Sequence, residues 1–160
     1  MPGKLYKQRM SNKLVISDTS CLIGLTNIGK LDVLTQLYGT VLVTPEVADE
    51  FALTLPEWIT VKAVTDSQKT ITFNEFIDLG ESSAIALATE LEDVLVIIDE
   101  RRARKVALGL GLEIIGTLGL LIRAYDQGFI EDIESTIADL RRTHFRLPDN
   151  AESLVKSILK

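Results

Sequence analysis

Cysteine and histidine are nearly missing from this chain. With Cys21 alone, no disulfide framework can form, and a reducing cytoplasm is the compartment such a sequence fits. His144, the only histidine, lies in the basic stretch RRTHFR and reads as a surface residue. One cysteine and one histidine make no zinc cluster and leave no histidine pair for a metal-free ribonuclease. Long apolar runs are lacking as well, since nothing approaches the roughly 20 residues of a membrane helix. No membrane partner is therefore expected. The apolar stretch after the basic start MPGKLYKQRMSNK is broken by Asp18 before it could serve as a signal-peptide core. The glycines of GLGLEIIGTLG match neither a dinucleotide fingerprint nor a P-loop, which requires Gly-Lys-Ser/Thr. Asp18 is followed by Thr19 and Ser20, so the D-x-D pattern of a phosphoaspartate phosphatase is absent too.

What remains is an apolar, acidic chain. Its 160 residues, 46% hydrophobic and 25% charged, suit one globular domain. Residues 1–13 read as a flexible basic tail and 14–160 as the single domain. The net charge of −6 is unevenly spread: residues 14–100 carry 15 acids against three lysines, whereas residues 1–13 have a net charge of +4 and residues 101–160 of +2. A general nucleic-acid coat needs a broad basic surface. An acidic body argues against one but suits a metal-centred site whose cations arrive separately.

Strand and helix patterns alternate. Leu14–Ser17, Val41–Val43 and Glu113–Ile115 read as short strands, Val94–Ile98 as the most hydrophobic strand, and Trp58–Val64 as an edge strand. Helical patterns lie between them: Leu22, Ile23, Leu25 and Ile28 ending at Gly29; Leu31–Tyr38 stopped by Gly39; and PEVADEFAL after the cap Thr44. Others follow in GESSAIALATEL, Arg101–Leu110, Leu118–Gln127, Ile130–Thr143 and Asn150–Leu159, while Thr65–Asp78 reads as a variable connection. The alternation predicts an α/β sandwich with a mostly parallel central sheet.

In such sheets ligands bind beyond the carboxyl ends of the strands, where Asp18 and Asp99 stand. Each acid also has a plain explanation. Asp18 and Asp99 suit helix caps, Glu81 suits a helix N-terminus, and Glu46, Asp49 and Glu50 suit a solvated face. Together they suggest more, because gathered carboxylates repel one another unless protons, bases or a cation offset them. Hard oxygen donors suit Mg²⁺ or Mn²⁺, which bind substrate phosphates and point to metal-assisted phosphodiester hydrolysis. Helical spacing alone leaves Glu46 and Glu50 as alternatives. Cys21 reads as packed, and Ser82 and Ser83 as capping residues.

The motifs DTSCLIGL, GESSAIALA, DERRAR and GTLGLL, in this order, resemble a PIN-domain protein over about Leu14 to Phe145. The prokaryotic subgroup written D-T-S-x-L, G-E-x-x-A, D-E/D-x-x-A-R and G-T-x-G-x-L is the nearest pattern. The resemblance implies a PIN-like α/β/α fold, an acidic Mg²⁺ or Mn²⁺ site and cleavage of single-stranded RNA. It matches Asp18, Glu50, Glu81 and Asp99 to the family's catalytic acids, with Asp18, Glu81 and Asp99 on the metal. Thr19 or Ser20 would orient Asp18, and Thr117 matches the hydroxyl facing the site. Glu81 stands where many relatives carry aspartate. Arg101, Arg102, Arg104 and Lys105 are candidates to contact RNA phosphates or offset the acids, and equally a solvated helix face. The resemblance further implies a toxin with a cognate antitoxin, or an orphan relative, and a homodimer. The rival reading is a non-catalytic binding module working through a protein or RNA partner.

Overall fold

The computed structural model describes residues 13–159. Its strands are β1 (Leu14–Ser17), β2 (Val41–Val43), β3 (Ile59–Val61), β4 (Val94–Ile97) and β5 (Glu113–Ile115). The first helices are α1 (Thr19–Asn27), α2 (Val33–Tyr38), α3 (Pro45–Phe51), α4 (Ser67–Phe73) and α5 (Leu79–Thr89). After these come α6 (Arg101–Gly109), α7 (Thr117–Asp126), α8 (Ile133–Arg142) and α9 (Ala151–Ile158).

The sheet runs β3-β2-β1-β4-β5, and every pairing is parallel. Strand composition explains the order. All four residues of β4 are buried, as are Val15, Ile16 and Ser17 of β1, because a central parallel strand is covered on both faces. The outer strands expose Thr60 and Val61 in β3 and Glu113 in β5. Successive side chains then point to opposite layers. Val15, Val43, Leu95 and Ile97 pack with apolar residues of α1, α2, α3, α7, α8 and α9. Ile16, Leu42, Val94, Val96 and Ile98 pack with α5, α6 and Phe73 of α4. This is a three-layer α/β/α sandwich.

Strand order also fixes where a ligand would bind. The chain steps from β1 outward to β2 and β3, then returns to β4 and continues outward to β5. The winding therefore reverses between β1 and β4, which pair from Leu14↔Val94 to Ser17↔Ile97. The crevice beyond the carboxyl ends at such a reversal is the usual ligand site of an open parallel sheet. Asp18 leaves β1 there, and Ile98 and Asp99 leave β4.

The connection expected over Thr65–Asp78 contains the helix α4. Thr70, Ile71, Thr72 and Phe73 are poor helix formers, which hid it. Its start is set from outside: the Glu90 carboxylate accepts from Thr65 N at 2.8 Å and Asp66 N at 2.9 Å, and Asp66 then caps Gln68 N at 3.1 Å. The strand expected over Trp58–Val64 shortens to three residues. The α8 pattern expected from Ile130 begins at Ile133, because the Asp132 side chain caps Ser135 N at 3.0 Å. The basic tail expected over residues 1–13 lies outside the described residues apart from Lys13, whose ammonium pairs with Glu113 and, at 3.8 Å, with Asp93. No helix among the described residues is long and apolar enough to cross a membrane.

Candidate active site

The site begins with the first turn of α1. Asp18 is extended at the N-cap, and its Oδ1 accepts from Cys21 N at 2.9 Å. Its Oδ2 accepts from Asp99 N at 3.1 Å, across the β1–β4 seam. Only 1% of Asp18 is exposed, so the carboxylate is fixed by two backbone donors in a nearly dry setting. Burial pushes its pKa well above the ordinary carboxylate range, Asp99 and Glu81 add to the rise, and the two N–H bonds oppose it.

Asp99 is held by the first residue of α7. Thr117 N donates to Asp99 Oδ1 at 2.7 Å, and the Thr117 hydroxyl donates to Oδ2 at 2.6 Å. Burial raises Asp99, while both Thr117 bonds and the Arg104 charge pull it down. Glu100, the other acid of the pair, caps α6 by accepting from Ala103 N at 2.8 Å. The two aspartates are thus in mutual contact, each braced by the start of a helix.

A second pair of acids stands beside them. Glu50 and Glu81 line a small cleft with Thr19, Ser20, Asp78 and Gly80. A buried hydroxyl chain joins the two helices that carry these glutamates. Val47 N donates to Thr44 Oγ1 at 3.2 Å, and Ser83 Oγ donates to Gly80 O at 2.8 Å. The Thr44–Ser83 contact of 2.6 Å is therefore made by the Thr44 proton. Gly80 permits the approach, since a Cβ there would stand 2.9 Å from Glu50 Oε2 and 3.3 Å from Thr19 Oγ1. Burial raises Glu81 to about 7, with Asp78, Glu100 and Glu50 contributing in that order.

Asp18 and Asp99 lie outside the cleft lining, and Thr19 connects the two groups. Of the alternative α3 acids, Glu50 lines the cleft, whereas Glu46 Oε2, like Glu81 Oε2, is buried without a hydrogen-bond partner. Neither Thr19 nor Ser20 bonds the Asp18 carboxylate, which accepts from Cys21 N of its own first turn and from Asp99 N across the seam. Instead the Thr19 hydroxyl is buried without a partner near Glu50, and Ser20 is exposed at the cleft. Thr117 contacts Asp99 directly. Arg101, Arg102 and Lys105 are exposed on α6, whereas Arg104 is half-buried and its Nη1 donates to Ile98 O at 2.8 Å. Cys21 is buried, and burial beside two aspartates pushes its thiol well above its usual range, so it packs rather than reacts.

Asp78 and Glu100 were not among the expected site residues. Asp78 precedes Glu81 by three positions in D-L-G-E and stands at the N-cap of α5, so both acids gather at the first turn of that helix. The assignment of Thr65–Asp78 to a connection obscured it.

Among the described residues, no three acid, histidine or cysteine side chains form a ready-made metal cage. The donor chemistry nonetheless fits a hard divalent cation. All candidate donors are oxygens, Glu81 Oε2 is buried without a hydrogen-bond partner, and burial with mutual repulsion raises Asp18 and Glu81.

Searches among curated proteins and among solved structures return no significant match. A family model described as PIN domain matches residues 14–160, nearly the whole chain. The chain belongs to the PIN-domain family, whose members are typically nucleases.

Proposed function

We propose that this protein is a divalent-metal-dependent endoribonuclease that cleaves single-stranded RNA. The observation carrying the reading is the contact of Asp18 with Asp99 at the β1–β4 reversal, beside a Glu81 oxygen buried without a partner. Asp18, Asp99 and Glu81 would hold Mg²⁺ or Mn²⁺, with Glu50 completing the acidic wall of the cleft. When bound, such an ion supplies positive charge against the developing charge of a phosphodiester under attack.

The chain's own residues prepare the site. Thr117 fixes both oxygens of Asp99, and Cys21 N and Asp99 N fix those of Asp18. Little reorganisation is then required of these carboxylates when a substrate arrives. Glu50 and Ser20 line the small cleft beside these acids, the proposed side of approach for a flexible single strand. Arg101, Arg102 and Lys105, exposed on the helix after Asp99, are proposed to steer phosphates without reading sequence. A cytoplasmic setting, a toxin role with a cognate antitoxin, and a homodimer belong to the same proposal; the last two rest on family resemblance.

The test is cleavage of single-stranded RNA with Mn²⁺ and with EDTA. Asp99→Asn preserves shape and removes a charge, so cleavage is expected to fall on the order of 100-fold or more while the fold survives. Cleavage that persists in EDTA and in Asp99→Asn overturns the assignment. Intact Mn²⁺ binding without cleavage of any RNA points to the non-catalytic binding module.

A further inference from the structure

Four cationic side chains follow Asp99 and Glu100, and their positions divide them. Three of them, Arg101, Arg102 and Lys105, are exposed, whereas Arg104 turns back toward the sheet. Its Nη1 donates to the carbonyl of Ile98, the residue between β4 and Asp99, at 2.8 Å. The space it occupies exists because Gly116 has no side chain. A Cβ on Gly116 would stand 3.1 Å from Arg104 Nη1 and 3.2 Å from Asp99 Oδ1. The guanidinium and the carboxylate therefore flank the same small gap. Gly116 also precedes Thr117, which makes both hydrogen bonds to Asp99. Three consecutive constraints meet at this acid: the tethered Ile98 carbonyl on one side, Thr117 on the other, and a fixed cation beside the gap.

We infer that Arg104 and Gly116 are positioning residues that set the Asp99 carboxylate, and that Arg104 is not a phosphate-binding residue like its exposed neighbours. A guanidinium suits the task, because its planar fork can keep a carbonyl while remaining charged beside a carboxylate. An exposed arginine would serve RNA better, since a phosphate contact needs an open approach. The inference deepens the nuclease reading and rests on it for its kinetic consequences. Its geometric content concerns the chain alone.

Both parts can be tested separately. The Thr117 amide proton reports the carboxylate, being donated to Asp99 Oδ1 at 2.7 Å. In ¹H–¹⁵N spectra of the metal-free protein, Arg104→Met should move that resonance and Arg101→Met should leave it in place, while Gly116→Ala, whose side chain adjoins Thr117 in the chain, is read by its loss of kcat. Outer partners of metal-binding carboxylates are worth about 10–100-fold in affinity or activity. In Mn²⁺, Arg104→Met should therefore lower kcat on single-stranded RNA by about 10–100-fold, with KM and its salt dependence within about twofold of wild type. Arg101→Met should show the reverse, a raised KM with a shallower salt dependence and an unchanged kcat. Arg104→Lys keeps a charge without the fork, and it should recover part of the kcat lost in Arg104→Met. It also carries the test if Arg104→Met fails to fold. An unmoved Thr117 resonance in Arg104→Met, or an unchanged kcat in Gly116→Ala, overturns the inference. So does a raised KM with retained kcat in Arg104→Met, which would make Arg104 a phosphate contact. A wild-type chain that cleaves no RNA refutes the nuclease reading instead, and leaves the resonance test to decide the positioning role.

Discussion

The raised pKa of Glu81 has a consequence for folding that needs no substrate. Its carboxyl lies at about 7 in the folded chain against an ordinary 4.5, chiefly through burial and then through Asp78, Glu100 and Glu50. A carboxyl raised on folding binds its proton more tightly in the native state. The associated stability is fully present below the unfolded pKa of 4.5 and is lost as pH rises through about 7. Each unit is worth about 1.4 kcal/mol, but Glu81 is only half-buried and solvent weakens the effect. An order of 1–2 kcal/mol is the reasonable size. Urea unfolding of the metal-free protein between pH 4.5 and 8 should therefore show wild-type stability falling with pH. Asp18 and Asp99, also raised by burial, add losses of the same sign, so the comparison of wild type with Glu81→Gln reports Glu81 together with its smaller effect on Asp18. That variant stays neutral and should flatten the profile by about 1–2 kcal/mol over the window. Identical slopes for the two proteins, or a steeper fall in Glu81→Gln, would refute the electrostatic account of the site.

Three further outcomes follow from the same geometry. Saturating Mn²⁺ should raise the melting temperature of wild type, by an amount equivalent to about 2.7 kcal/mol at 100 times Kd, and Asp18→Asn should remove most of the rise in thermal unfolding scans. Gly80→Ala should keep stability within about 1 kcal/mol, because helix propensity favours alanine and the clash is with a flexible carboxylate end. It should nevertheless reduce Mn²⁺-dependent cleavage by displacing Glu50, as measured in the same RNA assay. Ser83→Ala leaves the buried Thr44 proton without its acceptor and should cost about 1–3 kcal/mol in urea unfolding, whereas exposed Ser20→Ala should cost little.

Much of the scaffold was legible because local chemistry and tertiary structure agree. The four apolar residues of β4 needed burial on both faces, and Thr44-Pro45 placed the start of α3. Gly39, at φ 77°, ended α2 in a backbone conformation that favours glycine. The failures occurred where distant residues set the outcome. Helix α4 is anchored by Glu90 from beyond the end of α5, and no property of Thr70–Phe73 announces that anchor. The join of α3 to α5 depends on Thr44 and Ser83, 39 positions apart, and Ser83 read locally as a cap. Gly80 and Gly116 stand in the G-E and G-T motifs, but nothing in the sequence says what they make room for, since the atoms crowding each of them come from other elements.

The acids themselves posed a choice between capping a helix and forming a site, and the geometry removes that choice. A carboxylate has two oxygens, each with more than one acceptor direction. Asp18 uses Oδ1 to cap α1 and turns Oδ2 to the backbone of Asp99, so its capping role is what aims it across the β1–β4 seam. At the end of β4 the duties are divided between adjacent residues. Glu100 caps α6, and Asp99 is thereby left to meet Thr117 and Asp18. The doubled acid in I-I-D-E is therefore economical in a structural sense: one carboxylate starts the helix so that its neighbour can face the cluster. A substitution of Glu100 should consequently cost a helix cap, about 0.5–2 kcal/mol, with a smaller effect on the site than the same change at Asp99.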